Sequence, residues 1–193
     1  MVETFRQAGG VLRTTQALRI GVHQRELYAL RDAGVLERVS RGVYRLADLP
    51  PLSEPDLVTV ASRLPKAVIA LISALRFHGL TTEIPHEVSI ALPRGTAQPS
   101  LEWPPLRVYR FSGTMFTAGI ETQERDGVKV RVYGAAKTVA DCFKFRNRLG
   151  VDVAIEALRS GLDERAFTPS DLQRMAKICR VDRVVRPYLE ALL

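Results

Sequence analysis

The chain has 193 residues, of which 46% are hydrophobic and 25% are charged. This composition is that of an ordinary folded protein and excludes a largely disordered chain. The formal net charge of +7 favours a polyanionic partner, and nucleic acid is the commonest one.

The sequence also carries signals about the compartment in which the protein works. Cys142 and Cys179 are too few and too far apart for a disulfide framework or a zinc ribbon, so we expect both to pack as small apolar residues. The N-terminal residues lack the basic and apolar regions of a signal peptide. No apolar run approaches the roughly 20 residues that a membrane-spanning helix needs. We therefore expect a cytoplasmic protein with no membrane partner.

Residues 1–47 have the pattern of a winged helix-turn-helix. The predicted elements are helices at 3–8, from Thr14 or Thr15 to Arg19, and at 23–33, and the two strands of a β-hairpin at 36–39 and 43–46. Glycines end the first and third helices, and a tight turn at residues 20–22 separates the second helix from the third. The hairpin strands alternate apolar and polar residues around a Gly-containing turn.

The third helix is the predicted DNA-reading element. When Leu27 and Leu30 face the core, the opposite face presents polar side chains to the major groove. Gln24 and Arg25 lie in the first turn, where they can bind base edges, glutamine to adenine and arginine to guanine. Each such pair contributes roughly 1–3 kcal/mol of discrimination between bases.

Other side chains are predicted to bind phosphates. Arg38 and Arg41 lie on or beside the hairpin turn, and Thr15 can offer its hydroxyl or backbone amide. The candidate DNA-binding residues are Thr15, His23, Gln24, Arg25, Tyr28, Arg31, Arg38 and Arg41. The alternatives are a solvated helix, on which arginine and glutamine are ordinary, and a winged helix that binds protein.

Three prolines within residues 48–55 predict an extended linker between domain 1–47 and an α+β domain at 56–193. This second domain is predicted to hold a small, mainly antiparallel sheet followed by C-terminal helices. Predicted helices lie at 57–63, 73–78, 136–146, 151–159, 169–179 and 188–193, and predicted strands at 87–92, 106–111, 119–125 and 128–133. Val139, Phe143, Ile155 and Leu158 recur at helical spacing and are predicted to be core.

No catalytic or metal-binding motif is visible. None of the five lysines follows an acid by two residues, as in many nucleases, and the three histidines lack metal-ligand spacing. Residues 134–138 resemble a phosphate-binding loop only faintly, without its first glycine or its Gly-Lys pair. Lys137 and Asp141 can pair across one helical turn, which is worth a few tenths of a kcal/mol. We expect no enzymatic activity, no metal and no cofactor.

Four segments resemble AbiEi-type antitoxins of abortive-infection, type IV toxin–antitoxin systems. Residues 41–45, Arg-Gly-Val-Tyr-Arg, resemble the winged-helix half of that family. Residues 73–81 with Pro85, 136–143 with Arg146, and 150–158 resemble three later blocks of the family. The segments follow the family's order along nearly the whole chain.

This resemblance implies a DNA-binding antitoxin that represses its own two-gene operon. It also implies that the protein counters a nucleotidyltransferase-like toxin without a stable complex. The implied DNA partner is a double-stranded operator with inverted repeats, on which two copies would bind as a dimer. Two alternatives stay open: an ordinary winged-helix regulator with a ligand-sensing or dimerisation domain, and a DNA-directed enzyme. An adjacent nucleotidyltransferase gene would favour the antitoxin, and metal-dependent turnover of nucleic acid would favour the enzyme.

Overall fold

The structure, a computed structural model, describes residues 2–193, and the chain folds into two compact units. Unit 1 contains the chain up to Lys66, with Leu101–Pro104 and Thr122–Val130. Unit 2 contains Ala67–Ser100, Pro105–Glu121 and Arg131–Leu193. Both units combine helices with a sheet, so the predicted α+β class is confirmed.

Unit 1 begins with three helices and a small sheet. Its elements are α1 (Val2–Gln7), β1 (Val11–Arg13), α2 (Thr14–Arg19), α3 (Gln24–Asp32), β2 (Leu36–Ser40), β3 (Val43–Leu46) and α4 (Pro55–Arg63). β3 lies between β1 and β2 and is antiparallel to both. Phe5, Leu27 and Leu46 are buried in the core that α1 to α3 share with the three strands. The sequence did not predict β1, because three residues are too few to show an alternating pattern.

The predicted linker at 48–55 is packed within unit 1. Arg45 is buried and donates hydrogen bonds to the carbonyls of Leu49, at 2.7 Å, and Pro50, at 2.5 Å. The backbone N–H groups of Ser53 and Glu54 donate to the Asp126 carboxylate at 3.0 and 3.3 Å. The chain therefore passes from unit 1 to unit 2 after residue 66, and not at the proline-rich segment as predicted. Prolines made this segment extended, but side-chain hydrogen bonds fix it in place.

Unit 2 is built around a five-stranded sheet. Its elements, with β7 and β8 shared with unit 1, are β4 (Val68–Ile69), α5 (Leu71–Phe77), β5 (Val88–Pro93), β6 (Leu106–Phe111), α6 (Thr114–Thr117), β7 (Ile120–Arg125), β8 (Val128–Tyr133), α7 (Ala135–Lys144), α8 (Arg146–Leu149), α9 (Val151–Asp163), α10 (Pro169–Cys179) and α11 (Asp182–Glu190). The strand order is β6-β5-β4-β8-β7.

The sheet of unit 2 is mixed, so the prediction of a mainly antiparallel sheet is wrong. β4 is antiparallel to β5, whereas β5 with β6 and β4 with β8 are parallel pairs. The connection at residues 94–105 is long enough for β6 to return beside β5 in the same direction. The two-residue strand β4, which the sequence did not predict, holds the centre of the sheet.

The helices of unit 2 cover an apolar core. Val139 and Phe143 on α7 and Leu158 on α9 are fully buried, as predicted, while Ile155 is half-buried against the same core. The predicted helix at 188–193 is wrong in its start, because α11 begins at Asp182 and carries Pro187 inside it. Within residues 2–193, no helix is both long and apolar enough to cross a membrane.

Candidate nucleic-acid interface

A hollow of about 330 Å³ lies in unit 1, where α3 faces the turn between β2 and β3. It is lined by Thr14, Gln24, Tyr28, Arg31, Arg38, Arg41, Gly42 and Tyr44. Five of the eight candidate DNA-binding residues are in this set. Folding therefore brings three arginines from two separate elements to one concave surface.

The outer face of α3 carries a row of linked side chains. The Gln24 amide donates to the Tyr28 hydroxyl at 2.6 Å. The Arg31 guanidinium lies 5.1 Å from the centre of the Tyr28 ring, within the range of a cation–π interaction. Arg31 also donates through Nε and Nη2 to one oxygen of Asp32, at 2.8 and 2.7 Å, and this hydrogen bond raises the pKa of Arg31. These contacts hold the row in place before any ligand binds.

His23 and Arg25 lie at the start of α3 and outside the hollow. His23 is the N-cap residue, and its backbone N–H donates to the Glu26 carboxylate at 2.9 Å. This bond satisfies one of the amide groups that a helix start leaves unpaired. The side chains of His23 and Arg25 are both exposed, so they remain available to a partner.

Thr14, the neighbour of the candidate Thr15, lines the hollow. The Thr14 backbone N–H donates to the Gly42 carbonyl at 2.9 Å, which ties the start of α2 to the turn between β2 and β3. Arg13 has extended backbone angles and is the N-cap, so Thr14 is the first helical residue and faces the turn. Thr15 is exposed and does not line the hollow. The sequence alone could not separate two adjacent threonines at a helix start.

The turn between β2 and β3 presents Arg38 and Arg41. Gly42 has φ of +73°, a backbone conformation that favours glycine, and this residue closes the turn. Arg38 Nε donates to the Ser40 carbonyl at 3.3 Å. Arg41 is strongly exposed, and its Nη1 lies 3.7 Å from a carboxylate oxygen of Glu102.

Two further arginines, one at this turn and one in β3, were not predicted as functional. Arg63, on α4, donates to the Arg41 carbonyl and so supports the turn. Arg45 pairs with Glu37 at 2.9 Å and is buried, so it stabilises unit 1 and does not present its charge to a ligand. Arg63 was missed because it is distant from the turn in sequence and no local pattern connects the two.

A second polar cluster lies in the core of unit 2. Lys137 and Asp141 form an ion pair with side chains only 1% and 0% exposed. The Lys137 ammonium also lies 4.0 Å from the centre of the Tyr133 ring and 4.8 Å from that of Phe111. Cys179 Sγ donates to the second Asp141 oxygen at 3.2 Å. The spacing predicted the pair correctly, but not its burial, which makes the loss of only one partner costly.

Burial governs the protonation of this cluster. It raises the pKa of Asp141, and the Lys137 ammonium opposes that shift. It also raises the pKa of Cys179 to about 12 and that of Cys142 well above its ordinary value. Both cysteines are therefore thiols at neutral pH, as expected for packed apolar residues, and neither is a ready nucleophile.

The contacts of residues 134–138 give this segment a structural role. Gly134 connects β8 to α7, the position of a phosphate-binding loop, but the Lys137 ammonium pairs with Asp141 in the core. The Thr138 hydroxyl donates to the Tyr133 carbonyl at 3.0 Å. His78 Nε2 lies 2.7 Å from the same carbonyl oxygen. Among residues 2–193, no group of three or more His, Cys, Asp or Glu side chains could hold a metal ion.

A comparison with known protein families gives a match to part of unit 1. Residues 1–47 match the model of a family described as "Transcriptional regulator, AbiEi antitoxin". This match confirms the resemblance seen in residues 41–45, and it covers α1 to β3 with all eight candidate residues. No curated protein is significantly similar to the chain. Residues 1–47 are therefore similar to a family of antitoxin transcriptional regulators, while the resemblance of residues 73–158 to the later blocks stays a prediction.

Proposed function

We propose that the chain is a DNA-binding antitoxin that represses its own operon. In this proposal α1 to β3 form a winged helix, with α3 as the recognition helix and the turn between β2 and β3 as the wing. The order helix, strand, two helices and hairpin supports this fold. The observation that carries the proposal is the hollow of unit 1, because three arginines converge there beside the exposed start of a helix.

The start of α3 reads bases in this proposal. A recognition helix contacts base edges mainly through its N-terminal residues. His23 and Arg25 are exposed there, and Gln24 lies in the same turn. Arg25 can bind guanine through two hydrogen bonds, and Gln24 can bind adenine in the same way when it leaves the Tyr28 hydroxyl.

The hollow binds the DNA backbone. Arg31, Arg38 and Arg41 surround it, and a guanidinium forms strong, often paired hydrogen bonds with a phosphate. Thr14 lies at the same wall, at the start of α2. A phosphate held here fixes the depth and register of α3 in the groove, but carries no sequence information itself.

The antitoxin part of the proposal rests on the family match and on the later segments that resemble AbiEi-type antitoxins. By this resemblance, the toxin is nucleotidyltransferase-like and is countered without a stable complex. The operator contains inverted repeats, and two copies of the chain bind them as a dimer on the DNA.

Arg25→Ala and Arg41→Ala should therefore affect DNA binding differently. We expect Arg25→Ala to weaken operator binding by roughly 1–3 kcal/mol and to relax the preference at one base pair. Arg41→Ala should weaken operator and random DNA about equally and reduce the salt slope by about one phosphate per bound copy. Fluorescence anisotropy on upstream and scrambled duplexes, across a salt series, measures both effects.

Arg183→Ala is the matched control, because Arg183 is an exposed arginine of unit 2 and the variant loses the same charge. It should bind both duplexes nearly as the wild type does. If Arg25→Ala and Arg41→Ala bind like this control while the wild type prefers its upstream DNA, α3 and the wing are not the interface.

A further inference from the structure

We infer that the DNA-binding surface extends beyond residues 1–47 to Arg63, Glu102 and Trp103, which with Arg41 form a wing-side surface for the DNA backbone. This inference rests on the proposed function. The four residues come from three separate parts of the chain, and all belong to unit 1. Their partner is double-stranded DNA, contacted through its phosphates and sugars.

Arg63 supplies a cation at the base of the wing. Its guanidinium donates to the Arg41 carbonyl, and its Nη1 lies 3.5 Å from where a side chain on Gly42 would begin. It is half-buried, so it loses little conformational freedom when a phosphate binds. The Arg63 guanidinium therefore lies at the backbone of Arg41, and its charge adds to that of the turn for a phosphate bound at its base.

Glu102 occupies the place of a phosphate on Arg41. Its carboxylate oxygen lies 3.7 Å from Arg41 Nη1, and both side chains are more than 70% exposed. Carboxylates and phosphates bind a guanidinium through the same kind of paired hydrogen bonds. DNA that reaches Arg41 must therefore replace Glu102, and the carboxylate that remains nearby repels the backbone.

Trp103 gives this surface a flat apolar face. Its indole N–H donates to the Asp56 carboxylate at 3.0 Å, which fixes the ring on α4. The ring is nevertheless 63% exposed, which is unusual for the largest aromatic side chain. A fixed, exposed indole next in the chain to Glu102, which approaches Arg41, can pack against a deoxyribose of the bound strand. Trp103 is also the only tryptophan of the chain, so its fluorescence reports on this surface alone.

The test compares Glu102→Gln with Glu3→Gln in the full-length chain, on upstream and on scrambled duplexes. Glu3 is an exposed acid of α1 and provides the same change in charge. Glu102→Gln should bind both duplexes about two- to fivefold more tightly, because an exposed ion pair is worth up to about 1 kcal/mol. Glu3→Gln should bind as the wild type does. The gain in DNA affinity from Glu102→Gln should be smaller when Arg41 is also replaced by alanine, because Glu102 then has no guanidinium to pair with.

The emission of Trp103 provides a second measurement. Saturation of the wild type with either duplex should change its intensity or wavelength, because the ring passes from water to the DNA backbone. If the wild type binds DNA while Trp103 emission is constant and Glu102→Gln has no effect, DNA does not reach the wing-side surface, although the proposed function stands. If the wild type binds neither duplex, both the inference and the proposed function fail.

Discussion

Asp141→Ala is expected to lower the free energy of unfolding by about 3–5 kcal/mol, because it leaves the Lys137 ammonium uncompensated in the core of unit 2. The Lys137 side chain is 1% exposed, so water cannot replace the lost carboxylate. The contacts of the ammonium with the Tyr133 and Phe111 rings are too weak to do so. Thermal unfolding followed by circular dichroism measures the effect, which should be a fall in melting temperature of roughly 6–20 °C.

Two control variants distinguish the effect of burial on stability from the effect of ion pairing itself. Asp182→Ala removes an ion pair of the same spacing on α11, with Arg186 at 2.7 Å, but at the surface. It should cost only about 0.5 kcal/mol. The double variant Lys137→Met with Asp141→Leu removes both buried charges at similar volume and should be close to the wild type in stability, or above it. If Asp141→Ala has the same melting temperature as Asp182→Ala, the Lys137 ammonium is solvated and the core of unit 2 is packed differently.

Phe143→Ala should be comparably destabilising, at about 3–5 kcal/mol. The ring is fully buried on α7, and its centre lies 5.3 Å from that of Tyr188 on α11. Truncation removes this contact and leaves a cavity between two helices. The same thermal unfolding experiment measures the loss.

Ile84→Ala is the control for Phe143→Ala, because Ile84 is a large apolar side chain that is 74% exposed. It should change the stability by no more than about 0.5 kcal/mol. A Phe143→Ala protein that kept its melting temperature but lost one activity would show that Phe143 is a surface contact.

Local signals explain which elements the sequence could predict. α3 was predicted to within one residue at each end, because its apolar residues recur at helical spacing and Gly34 follows its end. α10 begins at Pro169 as predicted, since Thr168 accepts a hydrogen bond from the Asp171 N–H at 3.1 Å. The turn at Asp126 and Gly127 was predicted because both residues tolerate the positive φ angles that they adopt.

Long-range pairing explains what the sequence could not predict. β1 and β4 have three and two residues, and each exists only because a distant strand pairs with it. The direction of β6 depends on its partner β5, which no local pattern in β6 reveals. The burial of Lys137 likewise depends on Tyr133 and Phe111, which other elements bring to it.

The candidate interface likewise combines residues that local spacing predicts with residues that only the tertiary fold brings together. Helical spacing indicated that Gln24, Tyr28 and Arg31 share one face of α3, and the structure brings them together at the hollow. Arg38 and Arg41, at the turn between β2 and β3, join them through the fold of unit 1. Arg63 and the segment at 101–104 were missed, because they approach this turn from sequence positions more than twenty and fifty residues away.

The affinity of the full chain for its own upstream DNA, compared with a scrambled duplex of the same length and composition, tests the central claim most directly. A specific regulator binds its operator roughly a thousandfold or more tightly than random DNA at physiological salt. We expect such a preference, and we expect the affinity for both duplexes to fall as salt rises, since arginines displace counterions from the phosphates. Equal affinity for the two duplexes at every salt concentration would contradict a repressor that recognises its operator through α3.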